Sequence, residues 1–328
     1  MTGSMLRYIV LATVPFLWGT YAPLLKFIYT TEENPPPPMY FNLMSYLASF
    51  CTMQLVEWSD FTVAPTLPIN LLEKSASIHL WRGGFELGVW LLAGSMLYIY
   101  GIQYTTATNA AILVQLSTVI VPVMESVLKA CLPTWRTCVG CALAMVGVAM
   151  VISHTESDTP HIVADTAIGD VLVIAASMFY SLHIVRLGSI AKYFPPIRLA
   201  KVKSLTQLSV AGLVLLVLLN TSTETQKELT LYFSETGRSG YFPNMFILFC
   251  AFWNGAVCIG YTMWAQTFAQ RMVSPTHASI VYSTQPVWAV IFSSILIHES
   301  LSFLNWTGIF IQLLACVIVA IDISPTIS

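Results

Sequence analysis

Ten stretches of about twenty mostly apolar residues follow one another through the chain, each long enough to cross the hydrocarbon of a bilayer as a helix. They fall at 8–28, 39–57, 86–106, 110–130 and 135–153, then at 168–187, 203–220, 245–268, 277–297 and 306–323. Backbone groups cannot go unpaired in lipid, so runs of this length must be helices rather than barrel strands. The expected fold is an all-α membrane protein with ten transmembrane helices. Breaker-rich or polar segments punctuate it: Glu32-Glu33-Asn34 and the proline tract to Pro38, then 154–166 and 220–243.

Charge supports this reading. Only 9% of the 328 residues are Asp, Glu, Lys or Arg, against roughly 25% in soluble domains. So few charges could not hydrate a soluble surface, so the lipid bilayer is the expected surroundings. The net charge of −2 gives no reason to expect nucleic acid as a partner. The seven cysteines sit in or beside apolar runs, where free thiols act as small hydrophobes. Cys138-Val-Gly-Cys141 has redox or zinc spacing but no second ligand pair, so neither metal nor cofactor is expected.

Orientation follows from lysine and arginine placement. With the N-terminus inside, eleven of the 14 cations fall in inner loops or their flanks: Arg7, Lys74, Arg82, Lys129, Arg136, Arg186, Lys192, Arg198, Lys201, Lys203 and Arg271. Lys227 and Arg238 fall outside, and Lys26 near the outer end of the first span. Both termini are therefore expected on the cytoplasmic side, with the first span serving as an uncleaved targeting signal. The plasma membrane or an endomembrane is preferred, with the plastid envelope as the alternative.

Sliding the chain by 168 residues pairs Thr108 with Thr276, Ala110 with Ala278, Ile112 with Ile280 and Val119 with Val287. The same shift pairs Ser126 with Ser294, Leu128 with Leu296 and Gly140 with Gly308. Five spans per copy turn the second copy over, giving two inverted five-helix repeats, 8–153 and 168–323. Inverted repeats around a midplane site are the architecture of many secondary transporters.

The residues resemble the drug/metabolite transporter superfamily, EamA type. The first copy carries Phe16-Leu17-Trp18-Gly19 with Lys26 downstream, and Tyr104-Thr-Thr-Ala-Thr-Asn-Ala-Ala111 at the joint of its third and fourth spans. The second carries Gly169-Asp170, Ser274-Pro-Thr-His-Ala-Ser279, Gln285-Pro286-Val287 and His298-Glu299-Ser-Leu-Ser302. Cys131 and Thr118 stand in the first copy where the second has Glu299 and Pro286. The resemblance implies ten helices, inverted repeats and a central substrate cavity, with spans five and ten outside it, but no particular substrate.

Polar groups within spans are costly and each is a functional candidate. Gln115, Thr118, Pro122, Glu125 and Lys129 are spaced 3, 4, 3 and 4, which places them on one helical face that should meet water or another helix. Glu125 has two readings: it binds a proton or a substrate amine, or it pairs with Lys129 one turn on. In the ninth span, Pro286 removes the hydrogen bond normally made to Tyr282, so a kink there either exposes a carbonyl and the Gln285 amide to a solute or serves packing. Asn254, Cys258, Tyr261 and Ala265 share a face of span eight, and Ser177, Tyr180 and Ser181 a face of span six. Trp18 lies centrally in the first span. Gly84-xxx-Gly88 and Gly140, Ala144, Gly147 suit close helix packing in the protomer or a homodimer.

These features favour a transporter of a small organic metabolite working by alternating access. A non-transporting receptor or scaffold is the second reading, and the longest hydrophilic segment, 220–243, offers it little. No nucleophile–base pair or metal set marks an enzyme. Phosphorylated solutes call for lysine or arginine in the pocket, and the second half places none well inside the expected spans. A neutral, zwitterionic or amphipathic solute, amino-acid-like for instance, fits better.

Overall fold

The computed structural model describes residues 2–31, 35–58, 73–105, 107–152, 163–238, 245–296 and 302–321. The expected connector residues Glu32, Glu33 and Asn34 and the joint residues His298 and Glu299 lie outside them. The regular elements among the described residues are all helical. In the first half they are α1 (Thr2–Trp18), α2 (Tyr21–Thr31), α3 (Pro38–Trp58), α4 (Glu73–Tyr104), α5 (Ala107–Val114), α6 (Ser117–Lys129) and α7 (Trp135–Ile152). The second half has α8 (Val163–Ile190), α9 (Pro196–Thr221), α10 (Thr223–Arg238), α11 (Met245–Phe252), a π-helix (Trp253–Tyr261), α12 (Thr262–Gln270), α13 (Pro275–Tyr282), α14 (Gln285–Leu296) and α15 (Phe303–Ile321).

Several of these helices bury polar groups while exposing large apolar ones. In α9, Ser204, Thr206 and Gln207 are buried while Leu213, Leu216 and Val217 are exposed. In α15, Asn305 and Gln312 are buried while Phe310, Leu313 and Val317 are exposed. A soluble protein would reverse this, because exposed apolar patches of such extent are unstable in water. The solvent of these faces is hydrocarbon. Among the described residues five helical stretches are long and apolar enough to cross a membrane: Met5–Leu25, Ala167–Ile190, Pro196–Thr221, Met245–Gln270 and Pro275–Leu296. Trp135–Met150 and Phe303–Val319 are shorter apolar helices.

The chain divides into two compact units, the first formed by Met1–Gly19, Trp90–Lys192 and Phe268–Ser328 and the second by Thr20–Val89 and Tyr193–Thr267. In the first unit α7 lies along α15, α6 packs on α8 and α13, and α1 packs on α13 and α14. Gly147 permits the α7–α15 approach: a Cβ there would fall 2.9 Å from the Gln312 backbone nitrogen. In the second unit α3 is the hub, packing on α9, α11 and the π-helix, and α10 rests on α9. A Cβ at Gly88 would fall 2.6 Å from Thr206 Cβ, so α4 rides closely over α9. Both glycine stripes are thus used within the chain.

The 168-residue shift reappears in the helix boundaries. It carries α5, 107–114, onto 275–282, the bounds of α13; α6, 117–129, onto 285–297, against 285–296 for α14; and α7, 135–152, onto 303–320, against 303–321 for α15. The helix pairs α5/α6 and α13/α14 are therefore broken at the same place, at Gln115–Leu116 and Ser283–Thr284.

Three expectations need correction. Segment 220–243 is not merely a polar connector: it holds α10, whose Tyr232 is buried and stacks 5.7 Å from Tyr40. The seventh span does not begin at 203. Its helix begins at Pro196, in a first-turn position where proline's missing N–H costs nothing. Arg198 and Lys201 reach out to Glu57, at 3.4 and 2.7 Å, whereas Lys203 turns inward and is wholly buried. The second half therefore does place a cation inside a span, about 10 Å from its helix start at 1.5 Å per residue. Finally, span eight is not one α-helix: over Trp253–Tyr261 it is a π-helix, so the face expected for Asn254, Cys258 and Tyr261 from a 3.6-residue period does not hold.

Candidate functional site: broken helices and their polar partners

A helix interrupted within a membrane protein leaves carbonyl and amide groups that only neighbouring protein or a wet cavity can satisfy. Among the described residues the helical path is interrupted at four places: α1/α2 at Gly19–Thr20, α5/α6, α13/α14, and the π-helix between α11 and α12. Discontinuous helices of this kind form the substrate and ion sites of many transporters.

In the first unit the break between α5 and α6 closes with short turns. Leu116 N–H donates to Leu113 O at 3.1 Å and Thr118 N–H to Gln115 O at 2.9 Å. Gln115 and Thr118 are both buried. Pro122 cannot donate to Thr118 O, and the Cys141 thiol takes that carbonyl at 3.4 Å. At the equivalent break Thr284 N–H donates to Val281 O at 3.2 Å and Val287 N–H to Thr284 O at 3.0 Å. Pro286 follows this second break, but Thr118 occupies its place in the first. Proline alone therefore does not cause the breaks.

Around the second break Tyr282 is buried, its hydroxyl receiving a 3.1 Å hydrogen bond from Gln270 Nε2. The half-buried Trp18 stacks on it with centroids 5.4 Å apart. Ser283 Oγ accepts from Gln312 Nε2 at 2.6 Å. Gln285 opens α14 and is half-buried. Tyr180, also half-buried, seats its ring against Gly94, where a Cβ would lie 2.8 Å from Cε1.

Glu125 is occupied. One carboxylate oxygen accepts from Thr276 N–H at 2.8 Å and from Thr276 Oγ1 at 2.6 Å. The other accepts from Lys129 Nζ at 2.5 Å. Thr276 lies in the first turn of α13, behind the N-cap Ser274 and Pro275. A carboxylate at a helix N-terminus satisfies an orphan N–H and meets the positive end of the helix dipole. Both expectations from spacing meet here: the stripe faces another helix, and Lys129 pairs one turn on.

In the second unit the π-helix carries Asn254, whose Nδ2 donates to Ser45 Oγ at 3.0 Å; Ser45 Oγ in turn donates to Phe41 O at 3.0 Å. Trp253 Nε1 donates to Thr20 Oγ1 at 3.2 Å, and Cys258 Sγ lies 3.3 Å from the same hydroxyl. Thr20 is the residue after the α1/α2 break, so the π-helix is tied to it. A Cβ at Gly255 would strike Ser45 O and lie 2.6 Å from Ala48 Cβ, so α3 presses directly on the π turn. Tyr261 closes the π-helix, half-buried, its ring 5.6 Å from that of Trp264. Farther along α3, Ser49 Oγ meets Ser204 Oγ at 2.5 Å.

The structure thus brings Trp18 onto Tyr282, sets Gln115 and Gln285 at two equivalent breaks, bonds Glu125 to both its own helix and α13, and bonds Asn254 to α3. Spacing missed Thr276 as the partner of Glu125. It was visible only as part of Ser274-Pro-Thr, a helix-start signature. Among the described residues no group of three or more His, Cys, Asp or Glu could hold a metal ion.

Comparison with known proteins agrees with this architecture. The model of the EamA-like transporter family matches residues 5–153 and again 167–321. An uncharacterized transporter of Archaeoglobus fulgidus is 21% identical over 314 residues, covering 95% of this chain and 85% of that one. A solved crystal structure superposes with a TM-score of 0.72 at 11% identity, covering 96% of both chains. The chain belongs to the EamA-like transporter family.

Proposed function

We propose that this membrane transporter moves a small organic solute, amino-acid-like in size and polarity, by alternating access between ten spanning helices arranged as two inverted five-helix repeats with both termini in the cytoplasm. The observation that carries this reading is the recurrence of one helix break 168 residues apart, at Gln115–Leu116 and Ser283–Thr284. A break repeated at equivalent places, where an unbroken α-helix would be more stable, is a cost retained for function. α3 and α4 count as spans because they fall on the apolar runs 39–57 and 86–106, and a helix buried among others tolerates polar residues on its packed faces.

Within this reading Trp18, Gln115, Thr118, Tyr180, Tyr282 and Gln285, all of the first unit, line the solute path. Aromatic faces and amides next to helix breaks offer contact area and hydrogen bonds to an amphipathic solute. Glu125 and Asn254 act as positioning residues: one holds the start of α13, the other the π-helix against α3.

Uptake into liposomes reconstituted with the full chain tests the proposal. Saturable uptake of at least one amino acid, above empty liposomes, supports it. Binding without flux would favour a receptor.

A further inference from the structure

Lys203 is among the largest side chains with no solvent exposure, and its ammonium nitrogen has no hydrogen-bond partner among the described residues. Glu57, the acid that meets the cations of this helix, pairs with Arg198 and Lys201. A charged amine removed from water without an anion is among the costliest arrangements in a membrane protein. One turn along the same face of α9, Gln207 is also buried, and its Oε1 is equally without a partner. Residues four apart on a helix are close enough to bond, yet these two do not satisfy one another. Their neighbour Ser204 is fully engaged, by Ser49 Oγ and at 3.9 Å by Met263 Sδ. The unused pair is therefore a set of three ammonium donors beside one amide acceptor.

We propose that Lys203 and Gln207 form the anchor for an α-amino-acid zwitterion, Lys203 taking the carboxylate and Gln207 Oε1 accepting from the ammonium. This rests on the transporter reading above and narrows it. A cationic amine would set like charge against Lys203. A phosphate dianion would leave one negative charge unmatched by the single ammonium. A monocarboxylate neutralises it one to one. Gly88 packs at the same place: a Cβ there would lie 3.1 Å from Lys203 O, so its absence lets α4 approach the Lys203–Thr206 turn.

The test uses the detergent-purified full chain and the twenty common L-amino acids, each with its matched amino alcohol and amine, read by thermal shift and then by liposome flux. At least one amino acid stabilises the wild-type protein and its amino alcohol does not. Lys203→Met weakens that binding about tenfold or more, the loss expected for one charge-assisted hydrogen bond. Lys203→Arg retains part of it and Gln207→Leu weakens it. Without ligand, Lys203→Met melts no lower than wild type, because it removes a buried group with nothing to bond. A ligand-free melting temperature well below wild type, or failure to fold, would give Lys203 a structural role and overturn the inference. So would binding unchanged by Lys203→Met, no stabilisation by any carboxylate, or equal stabilisation by the amino alcohol. If an amine or amino alcohol is carried equally by wild type and Lys203→Met, the anchor fails while transport stands. If no compound crosses above empty liposomes, both fail.

Discussion

Replacing Glu125 separates two interactions, the ion pair to Lys129 that spacing suggested and the cap on α13 that only the fold reveals. Lys129 keeps 62% of its side chain exposed, and an exposed pair of this kind contributes about 0–1 kcal/mol. The cap is buried and uses two donors of Thr276 on one carboxylate oxygen. Hydrogen bonds to a charged group contribute about 1.5–3 kcal/mol each, and the helix dipole adds about 0.3–1 kcal/mol. Contributions that share an oxygen do not add fully, so Glu125→Ala is expected to cost about 3–5 kcal/mol of stability. Glu125→Gln keeps a carbonyl acceptor without the charge and should cost about 1–2 kcal/mol. Lys129→Met should cost no more than about 1 kcal/mol. Denaturant unfolding in detergent, followed by circular dichroism, measures the order. A Lys129→Met cost equal to that of Glu125→Ala would refute the reasoning, since the ion pair and not the cap would then hold the helices together.

The glycines give a paired prediction. Gly147→Ala puts a methyl 2.9 Å from the backbone nitrogen of Gln312 and should cost about 1–3 kcal/mol as overpacking. Gly212→Ala meets nothing nearer than Leu43 Cδ1 at 3.9 Å and should stabilise α9 by about 0.5–1 kcal/mol through helix propensity; thermal melts compare the two. At the π-helix, Asn254→Ala loses one hydrogen bond, about 1 kcal/mol, because Ser45 Oγ keeps Phe41 O as a partner. Asn254→Asp buries a charge and should be several-fold worse in the same melts; equal costs would place water at that site.

Much of the fold was legible because lipid imposes so few choices. Apolar runs at 39–57 and 135–153 became α3 and α7 nearly to the residue, since both start beside prolines or polar residues that end a helix. The 168-residue shift, modest as sequence identity, became compelling once α5 and α13 shared their bounds. What the sequence hid was backbone irregularity. The break at Gln115 has no proline at the equivalent of Pro286, and the π-helix over Trp253–Tyr261 lies within an apolar run that reads as ordinary α-helix. Hydropathy also misplaced the start of α9, because Arg198 and Lys201 made its first turns look like a loop. That error hid Lys203, the residue on which the substrate inference turns. Glu125 illustrates the other limit: spacing identified Lys129 as a local partner, but Thr276 lies 151 residues away and only the tertiary fold brings it there.

Alternating access is tested most directly by exchange across reconstituted liposomes. With the amino acid found to bind best, unlabelled solute loaded inside should accelerate entry of labelled solute, because a loaded carrier resets faster than an empty one. Uptake that is indifferent to the internal solute and rises linearly with concentration would show a pore instead, and would contradict the account.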